Sequence, residues 1–223
     1  MLSLKRHVRE LRTRLGRRSY SQEGEDLILE RYFESRASGF YVDIGAHHPY
    51  RFSNTCLLYR KGWCGVNIDA MPGSMKNFAR ARPRDINLEL AVGPASSAAT
   101  YYMFNEPALN TFDPLLAQQR KVPPWKLIKE IPLKVVTLAE ILEDVLPASQ
   151  HIDLLTLDVE GRELEVLKTN DWRKFRPAMV LVETLGAASG YSPSEGVLDY
   201  LGSLGYKAVA KTFNTCFLVH SER

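Results

Sequence analysis

The chain of 223 residues is long enough to bury a large core and short enough to form one domain. Its 45% hydrophobic and 25% charged residues are ordinary for a globular protein, and the formal net charge of +3 is too small to indicate a nucleic-acid partner. No apolar stretch approaches the about 20 residues that span a bilayer, and no signal-peptide pattern follows the basic start, so we expect a cytoplasmic protein. Three widely spaced cysteines indicate reduced, packed thiols.

Residues 1–18 form a basic segment in front of the main domain, which we assign to residues 19–223. The segment holds seven lysines and arginines against one glutamate, and apolar residues recur in it at helical spacing at Leu4, Val8, Leu11 and Leu15. A basic amphipathic helix suits peripheral contact with an anionic membrane surface or with a partner subunit, as in a homo-oligomer. Packing on its own domain is the alternative that we favour, because four apolar residues bury little area.

Two apolar runs associated with acids organise the first half of the domain. Residues 40–46 contain Asp43 and break on Gly45, and residues 64–68 lead directly into Asp69. Such runs are typical of buried parallel strands, whose carboxyl ends bind the ligands of open α/β sheets. The order of strand, glycine turn, helix, strand and acid predicts a nucleoside site in which Asp69 accepts both ribose hydroxyls.

The loop after Gly45 distinguishes between nucleosides. The diphosphate of a dinucleotide needs close approach of the backbone and hence further glycines, whereas His47, His48 and Pro49 stand in this loop. S-adenosylmethionine has the ribose without a phosphate, so a glycine-poor turn suits it better. The sequence therefore favours S-adenosylmethionine over a nicotinamide dinucleotide.

This loop is one of several segments in which the sequence resembles the FkbM-type family of S-adenosylmethionine-dependent methyltransferases. The others are Ser-Asn-Thr at 53–55, Lys-Gly-Trp-Cys-Gly-Val at 61–66 and Leu-Asp-Val-Glu-Gly at 157–161. The resemblance implies the α/β fold of Rossmann-like class I methyltransferases, a mostly parallel seven-stranded sheet with a C-terminal antiparallel hairpin and helices on both faces. It also implies S-adenosylmethionine as the cofactor, and as the acceptor a hydroxyl of a sugar, a glycan or a small natural product.

The remaining elements continue the α/β alternation. Sequence patterns predict strands over 86–92, 134–136, 152–157 and 179–182, helices over 53–61, 72–80, 137–142, 162–170 and 195–204, and a closing hairpin of 207–210 with 216–219. Between residues 95 and 132, five prolines exclude long regular elements and leave a short strand at 100–104. We interpret this irregular insertion as a substrate lid whose basic residues and Trp125 suit an anionic or sugar-bearing acceptor, or else as a solvated loop.

Ten residues around the predicted crevice are candidate cofactor contacts. Free N–H groups at the start of the helix over 53–61 suit the methionine carboxylate, and the end of the strand over 86–92 lies beside the adenine in this topology. The family resemblance adds Gln22 as a contact to the methionine part. The set is Gln22, Asp43, Gly45, Ala46, Ser53, Asn54, Asp69, Ala70, Leu90 and Ala91.

Four side chains at predicted strand ends are candidates for holding the acceptor and removing its proton: His47, Asp158, Glu160 and Glu183. A hydroxyl acceptor needs a base because its pKa is high, and such a base accelerates the reaction by roughly 10²–10⁴-fold. Imidazole titrates near neutrality, although His47 also suits a bulky loop filler and the two acids at 158 and 160 also suit capping of the next helix. The spacing of these residues does not indicate a metal ion, and we expect none.

Three other functions are alternatives. A nicotinamide-dependent oxidoreductase is disfavoured by the glycine-poor loop. A non-catalytic nucleoside-binding module would bind the cofactor without turnover, and Asp158 and Glu160 would then be replaceable. Nucleic-acid methylation is disfavoured because Asn-Pro-Pro-Tyr is absent and the strong basic patch is confined to the N-terminal segment.

Overall fold

The computed structural model describes residues 16–147, 149–184 and 194–221. The predicted basic segment lies almost entirely outside these ranges, so its helix and the domain division after residue 18 stay predictions. The described strands are β1 Phe40–Ile44, β2 Cys64–Asp69, β3 Ile86–Glu89, β4 Ala91–Val92, β5 Ser96–Phe104, β6 Leu127–Val136, β7 Leu154–Leu157, β8 Met179–Glu183, β9 Tyr206–Lys211 and β10 Thr215–His220. The described helices are α1 Glu25–Tyr32, α2 Cys56–Arg60, α3 Met75–Ala81, α4 Pro114–Gln119, α5 Leu138–Val145, α6 Glu163–Leu167 and α7 Ser194–Ser203, with a 3₁₀ turn at Pro107–Leu109.

Seven strands form one sheet in the order β3-β2-β1-β7-β8-β10-β9. The first five in this order are mutually parallel, whereas β10 runs antiparallel to both β8 and β9. This arrangement confirms the predicted α/β fold and its closing hairpin. The chain runs from β1 outwards to β3 and returns to β7 on the other side of β1. In open α/β sheets, such a reversal of strand order opens the crevice that binds ligands.

Alternate side chains of the central strands pack on opposite faces of this sheet, as the two-residue period of a strand requires. Val42 and Ile44 of β1 belong to the core that includes residues of α5, α6 and α7. Tyr41 lies in the core of the other face with Leu29 of α1 and Leu58 of α2. Both faces of β1 are therefore buried, which explains its nearly continuous apolar sequence. Each large apolar side chain buried in this way stabilises the fold by ~1.5–3 kcal/mol.

The predicted helices form, with bounds that differ by a few residues. α5 begins at a capping box, in which the side chains of Thr137 and Glu140 each accept the backbone N–H of the other residue. α2 begins at Cys56 rather than at Ser53. The strand predicted over 86–92 is divided at Leu90, because β3 pairs with β2 whereas β4 joins a second sheet.

The second sheet has three strands in the order β4-β6-β5 and contains most of residues 95–132. The prediction that prolines keep this segment irregular was wrong, and the strand predicted at an edge over 134–136 is part of the central strand. β4 pairs only with Val135 and Val136 of β6. Pro132 pairs with Thr100 of β5 outside the reach of β4, where one side of β6 has no neighbour among the described strands and a missing N–H is tolerated. Pro114 occupies the first turn of α4, where N–H groups have no helical partner anyway.

Within the described ranges, no helix is long and apolar enough to cross a lipid bilayer. The three cysteines of the chain all lie in the described part and are free thiols. Cys56 and Cys216 are buried and Cys64 is half-buried, which agrees with the expected packed thiols.

Candidate functional site

The carboxyl ends of β1, β2, β7 and β8 open into a cavity of about 590 Å³, a size typical of small-molecule sites. The three-stranded sheet and the 3₁₀ turn contribute further walls of this cavity. Five of the predicted cofactor residues line it, together with all four catalytic candidates: Gln22, Gly45, Asp69, Ala70, Leu90, His47, Asp158, Glu160 and Glu183. The fold therefore brings together the main motifs that the sequence indicated.

Gly45 lies where the turn after β1 meets the turn after β7. Its φ of 78° is in the left-handed region, and a Cβ there would lie 1.7 Å from the backbone oxygen of Asp158. The N–H of Asp158 in turn donates to the backbone oxygen of Ile44 over 3.0 Å. Glycine alone combines this backbone angle with so close an approach. The contact holds the carboxylate-bearing turn against the end of β1.

Asp69 ends β2 with its carboxylate at the cavity wall. Its Oδ1 accepts the N–H of Met71 over 2.8 Å, and its Oδ2 accepts the N–H of His47 over 2.9 Å. These bonds orient the carboxylate and leave it further acceptor capacity for the hydroxyls of a ligand. Burial raises the pKa of Asp69, and the two backbone hydrogen bonds oppose that rise. Ile68 and Leu90 add apolar surface to the same wall.

The other five predicted cofactor residues lie behind the cavity lining: Asp43, Ala46, Ser53, Asn54 and Ala91. Asp43 is buried and accepts a hydrogen bond of 2.7 Å from the Thr55 hydroxyl. The N–H of Ser53 donates to the backbone oxygen of Tyr20. It is therefore engaged, whereas the sequence predicted that it would be free for a ligand. These positions favour a role in shaping the wall over direct contact with the cofactor.

Arg82 holds this wall together from the end of α3, and no sequence pattern indicated it. Its side chain is 1% exposed. The guanidinium donates to Pro49 O and Ser53 Oγ over 2.6 Å each, and to Thr55 Oγ1 over 2.7 Å. Because Thr55 also donates to Asp43, the network fastens the loop after β1 to both β1 and α3. An arginine after a short helix usually extends into solvent, so only the folded arrangement reveals this role.

Backbone strain is concentrated at the cavity. Among the described residues, three that are not glycine have a positive φ: His47 at 54°, Phe52 at 57° and Glu160 at 56°. All three line the cavity. The left-handed conformation costs roughly 1–2 kcal/mol for such a residue, and strain of this kind is typical of functional sites.

His47 is neutral at physiological pH. Burial, and then the positive charge of Arg51, lower its pKa to about 4. Its ring stacks on Phe52 with ring centroids 6.0 Å apart. Arg51 also makes two hydrogen bonds to Glu106, of 2.8 and 3.0 Å, which link this loop to the 3₁₀ turn. At such a low pKa the imidazole is a weaker base than the sequence suggested.

Asp158, Glu160 and Glu183 converge in the cavity from the ends of β7 and β8. One oxygen from each carboxylate lies within 4.8 Å of the oxygens of the other two. Asp158 Oδ1 and Glu183 Oε2 are buried and have no hydrogen-bond partner within the described ranges. Burial raises the pKa of all three carboxyls, and negative charges nearby add to the rise. The cluster can therefore accept a proton much nearer neutrality than ordinary carboxylates do.

Contacts on two sides fix the turn that carries Glu160. Glu163 at the start of α6 accepts the N–H groups of the two residues that flank Glu160, each over 3.1 Å. The Thr111 hydroxyl donates to the backbone oxygen of Glu160 over 3.0 Å, and the Arg120 guanidinium pairs with its carboxylate. The turn thus connects α6 with the segment that follows β5.

Solved structures of similar fold include three methyltransferases. The O-methyltransferase TomG from Streptomyces achromogenes, in complex with SAM, is 13% identical with a TM-score of 0.47, over 91% of this chain and 82% of that chain. An O-methyltransferase from Bacillus cereus, in complex with SAH, is 11% identical with a TM-score of 0.47, over 93% and 85%. A TehB-like SAM-dependent methyltransferase from Corynebacterium glutamicum is 13% identical with a TM-score of 0.45, over 98% and 97%.

The sequence model of the methyltransferase FkbM domain matches residues 43–208. No curated protein sequence is significantly similar to this chain. The matched range begins at the strand-end motif of β1 and includes Asp69, the turn after β7 and Glu183, which confirms the resemblance drawn from those motifs. The chain therefore belongs to the FkbM-type family of S-adenosylmethionine-dependent methyltransferases.

Proposed function

We propose that this methyltransferase transfers its methyl group to the oxygen of a hydroxyl on a sugar, a glycan or a small natural product. The observation that carries the proposal is the position of Asp158, Glu160 and Glu183 in one cavity, beside the end of β1. A hydroxyl has a high pKa and needs a proton acceptor beside its oxygen. A thiol loses its proton far more readily and needs no such cluster.

The surroundings of Asp69 fit a nucleoside. Its carboxylate would accept the ribose hydroxyls, with Leu90 and Ala70 beside the base. Gln22 and Gly45 would contact the methionine part. Bound there, S-adenosylmethionine supplies a methyl group that is already activated on a positively charged sulfur. The chain then has mainly to position the acceptor and take its proton.

Asp158 is our candidate for the proton acceptor. Its Oδ1 is buried at the cavity and unpartnered among the described residues. Burial, and then the negative charge of Asp158, raise the pKa of Glu183 well above its ordinary value. Glu160, held by Arg120, would position the acceptor. His47 is a poorer base, since its pKa is about 4.

The walls from the second sheet suit a sugar. Tyr101, Asn110 and Thr111 line the cavity with an aromatic ring, an amide and a hydroxyl, and Trp125 lines it while remaining 40% exposed. Aromatic rings pack on the apolar faces of a sugar ring, while polar groups and the polar ends of aromatic side chains bond to its hydroxyls. This mixture supports a hydroxyl-rich acceptor that enters past Trp125.

The proposal is tested with S-adenosylmethionine labelled in the methyl group. The full chain is incubated with the labelled donor and with fractionated glycans and metabolites, and the labelled product is then treated with mild alkali. A methyl ether keeps its label, whereas a methyl ester of a carboxyl acceptor loses it. Label that is lost to alkali, or that resides on nitrogen or sulfur, contradicts the proposal.

Once an acceptor is found, Asp158→Asn should reduce turnover by roughly 10²–10⁴-fold with little change in fold. Asp144→Asn is the matched control, because Asp144 is an exposed acid of α5 outside the cavity lining. Equal turnover of the two variants would remove Asp158 from the reaction.

A further inference from the structure

The cluster of Asp158, Glu160 and Glu183 gathers three acids at one point of the cavity. We propose that these three carboxylates bind one hard divalent cation, of the class of Mg²⁺, Mn²⁺ and Ca²⁺. This differs from the expectation from sequence, in which residue spacing did not indicate a metal. The binding is argued from the cluster itself, and only the role of the cation rests on the proposed function.

The spacing of the oxygens fits a shared cation. One oxygen of each carboxylate lies within 4.8 Å of those of the other two. Three ligands of one Ca²⁺ can all lie at most about 4.5 Å from one another, because each bond is ~2.3–2.6 Å long, and three ligands of one Mg²⁺ at most about 3.6 Å. Oxygens within 4.8 Å of one another therefore need only a modest side-chain movement to close on a cation of this class. Carboxylate oxygens are the ligands that these cations prefer.

Two oxygens of the cluster are available as ligands. Asp158 Oδ1 and Glu183 Oε2 are shielded from solvent and find no hydrogen-bond partner within the described part of the chain. Both residues line the cavity, so a small ion that enters the cavity comes close to their carboxylates. Buried carboxylate oxygens without a partner are costly, which is why most are bonded or coordinate a metal. This observation is independent of the clustering itself.

The charges also match a divalent cation. Three ionised carboxylates and the guanidinium of Arg120, which pairs with Glu160, sum to two negative charges. One divalent cation neutralises that sum. Three carboxylates gathered this closely repel one another, and a bound cation removes that repulsion.

The position of the cation gives it a role in the proposed reaction. The cluster follows β7 and β8, at the part of the cavity that we assign to the acceptor. A cation there would ligate the acceptor hydroxyl and lower its pKa, so that Asp158, which would hold the cation through one carboxylate oxygen, could take the proton on the other. The same contact would orient the oxygen towards the methyl donor.

Titration of the full chain with Mn²⁺, followed by the electron paramagnetic resonance signal of the free ion, tests the site without donor or acceptor. We expect one site with a Kd below about 1 mM. Glu183→Gln should weaken binding about tenfold or more, because it removes a charged ligand. Glu165→Gln is the matched control: Glu165 lines the same cavity but lies outside the cluster, and this variant should bind Mn²⁺ as the wild type does.

Thermal unfolding gives a second readout. At ten times the wild-type Kd, Mn²⁺ should raise the Tm of the wild type by about 3–6 °C and that of Glu183→Gln by no more than about 2 °C. Glu183→Gln should fold, because the amide has the shape of the carboxyl and removes a buried charge. Glu160→Gln repeats the test at a second proposed ligand. Two results overturn the proposal: wild-type protein that binds no Mn²⁺ up to about 5 mM, or Glu183→Gln and Glu160→Gln variants that both bind Mn²⁺ as tightly as the wild type does.

A calorimetric titration with S-adenosylmethionine in the presence of EDTA separates this inference from the proposed function. We expect the affinity of the donor to be the same in wild type and Glu183→Gln. Intact donor binding with no metal binding refutes the cation site alone. Metal binding with no donor binding refutes the assignment of the nucleoside site alone.

Discussion

Arg82 offers the sharpest test of how the cavity wall is built. Replacement of Arg82 by methionine keeps much of the side-chain volume and removes every hydrogen-bond donor. Pro49 O, Ser53 Oγ and Thr55 Oγ1 each lose the guanidinium to which they are now bonded. The substitution also removes a positive charge whose attraction opposes the raised pKa of Asp43.

The expected loss is about 3–5 kcal/mol. Each buried polar group left without a partner costs ~1–3 kcal/mol, and the removal of the desolvated guanidinium offsets part of the sum. A loss of this size lowers the Tm of a chain of this length by roughly 6–20 °C.

The loss of unfolding free energy in Arg82→Met should grow with pH. Burial already raises the pKa of Asp43 from 3.8 to about 6, so its ionisation destabilises the fold as pH rises through this window. Without Arg82 that penalty is larger.

Urea unfolding at pH 5 and pH 8, followed by circular dichroism, measures both effects. Arg84→Met is the matched control, because Arg84 is exposed and its guanidinium lies 3.9 Å from the ring centroid of Tyr59. That variant should lose less than about 1 kcal/mol. If the two variants lose the same free energy of unfolding, or if the loss in Arg82→Met does not depend on pH, the argument for a buried network is refuted.

Three further substitutions test other parts of the site. In urea unfolding, Gly45→Ala should lose at least about 2 kcal/mol more of the free energy of unfolding than Gly73→Ala. Both positions have a positive φ, but only at Gly45 would the added Cβ meet a backbone oxygen; equal losses would contradict this. Asp69→Ala should weaken calorimetric binding of S-adenosylmethionine by ~10- to 100-fold, and unchanged affinity in the folded variant would reject the ribose contact. Burial raises the pKa of Glu163 from 4.5 to about 7, so the fold loses stability as pH rises between these values. Between about pH 4.5 and pH 8 the free energy of unfolding of Glu163→Gln should therefore rise by roughly 2–3 kcal/mol relative to that of the wild type. A difference between the two proteins that does not change with pH would refute the assigned pKa.

The central sheet was predictable because its signals are local. β1, β7 and β8 are buried on both faces, and such burial requires short apolar runs whatever the neighbouring strands are. The hairpin of β9 and β10 follows from alternation around a turn. The placement of Gly45 and Asp69 at one cavity follows in turn, because the carboxyl ends of parallel strands lie at one edge of a sheet.

The segment over residues 95–132 was not predictable in the same way. Whether proline breaks a strand depends on which side of that strand has a neighbour, and at Pro132 the pairing with β5 alone makes it acceptable. The sequence records the proline but not the open side. The split of the predicted strand at Leu90 likewise depends on pairing partners that are remote in the chain.

By itself, the sequence determined the fold class, the family and the strand ends that form the site, since apolar periodicity and strand-end motifs are properties of neighbouring residues. Tertiary structure alone decided which polar groups are buried together. It placed Arg82 behind the wall, turned Ser53 and Asp43 away from the cavity and brought Glu183 to Asp158. Charges respond to distance and burial in space rather than to spacing along the chain, so the chemistry of the acid cluster became visible only in the folded protein.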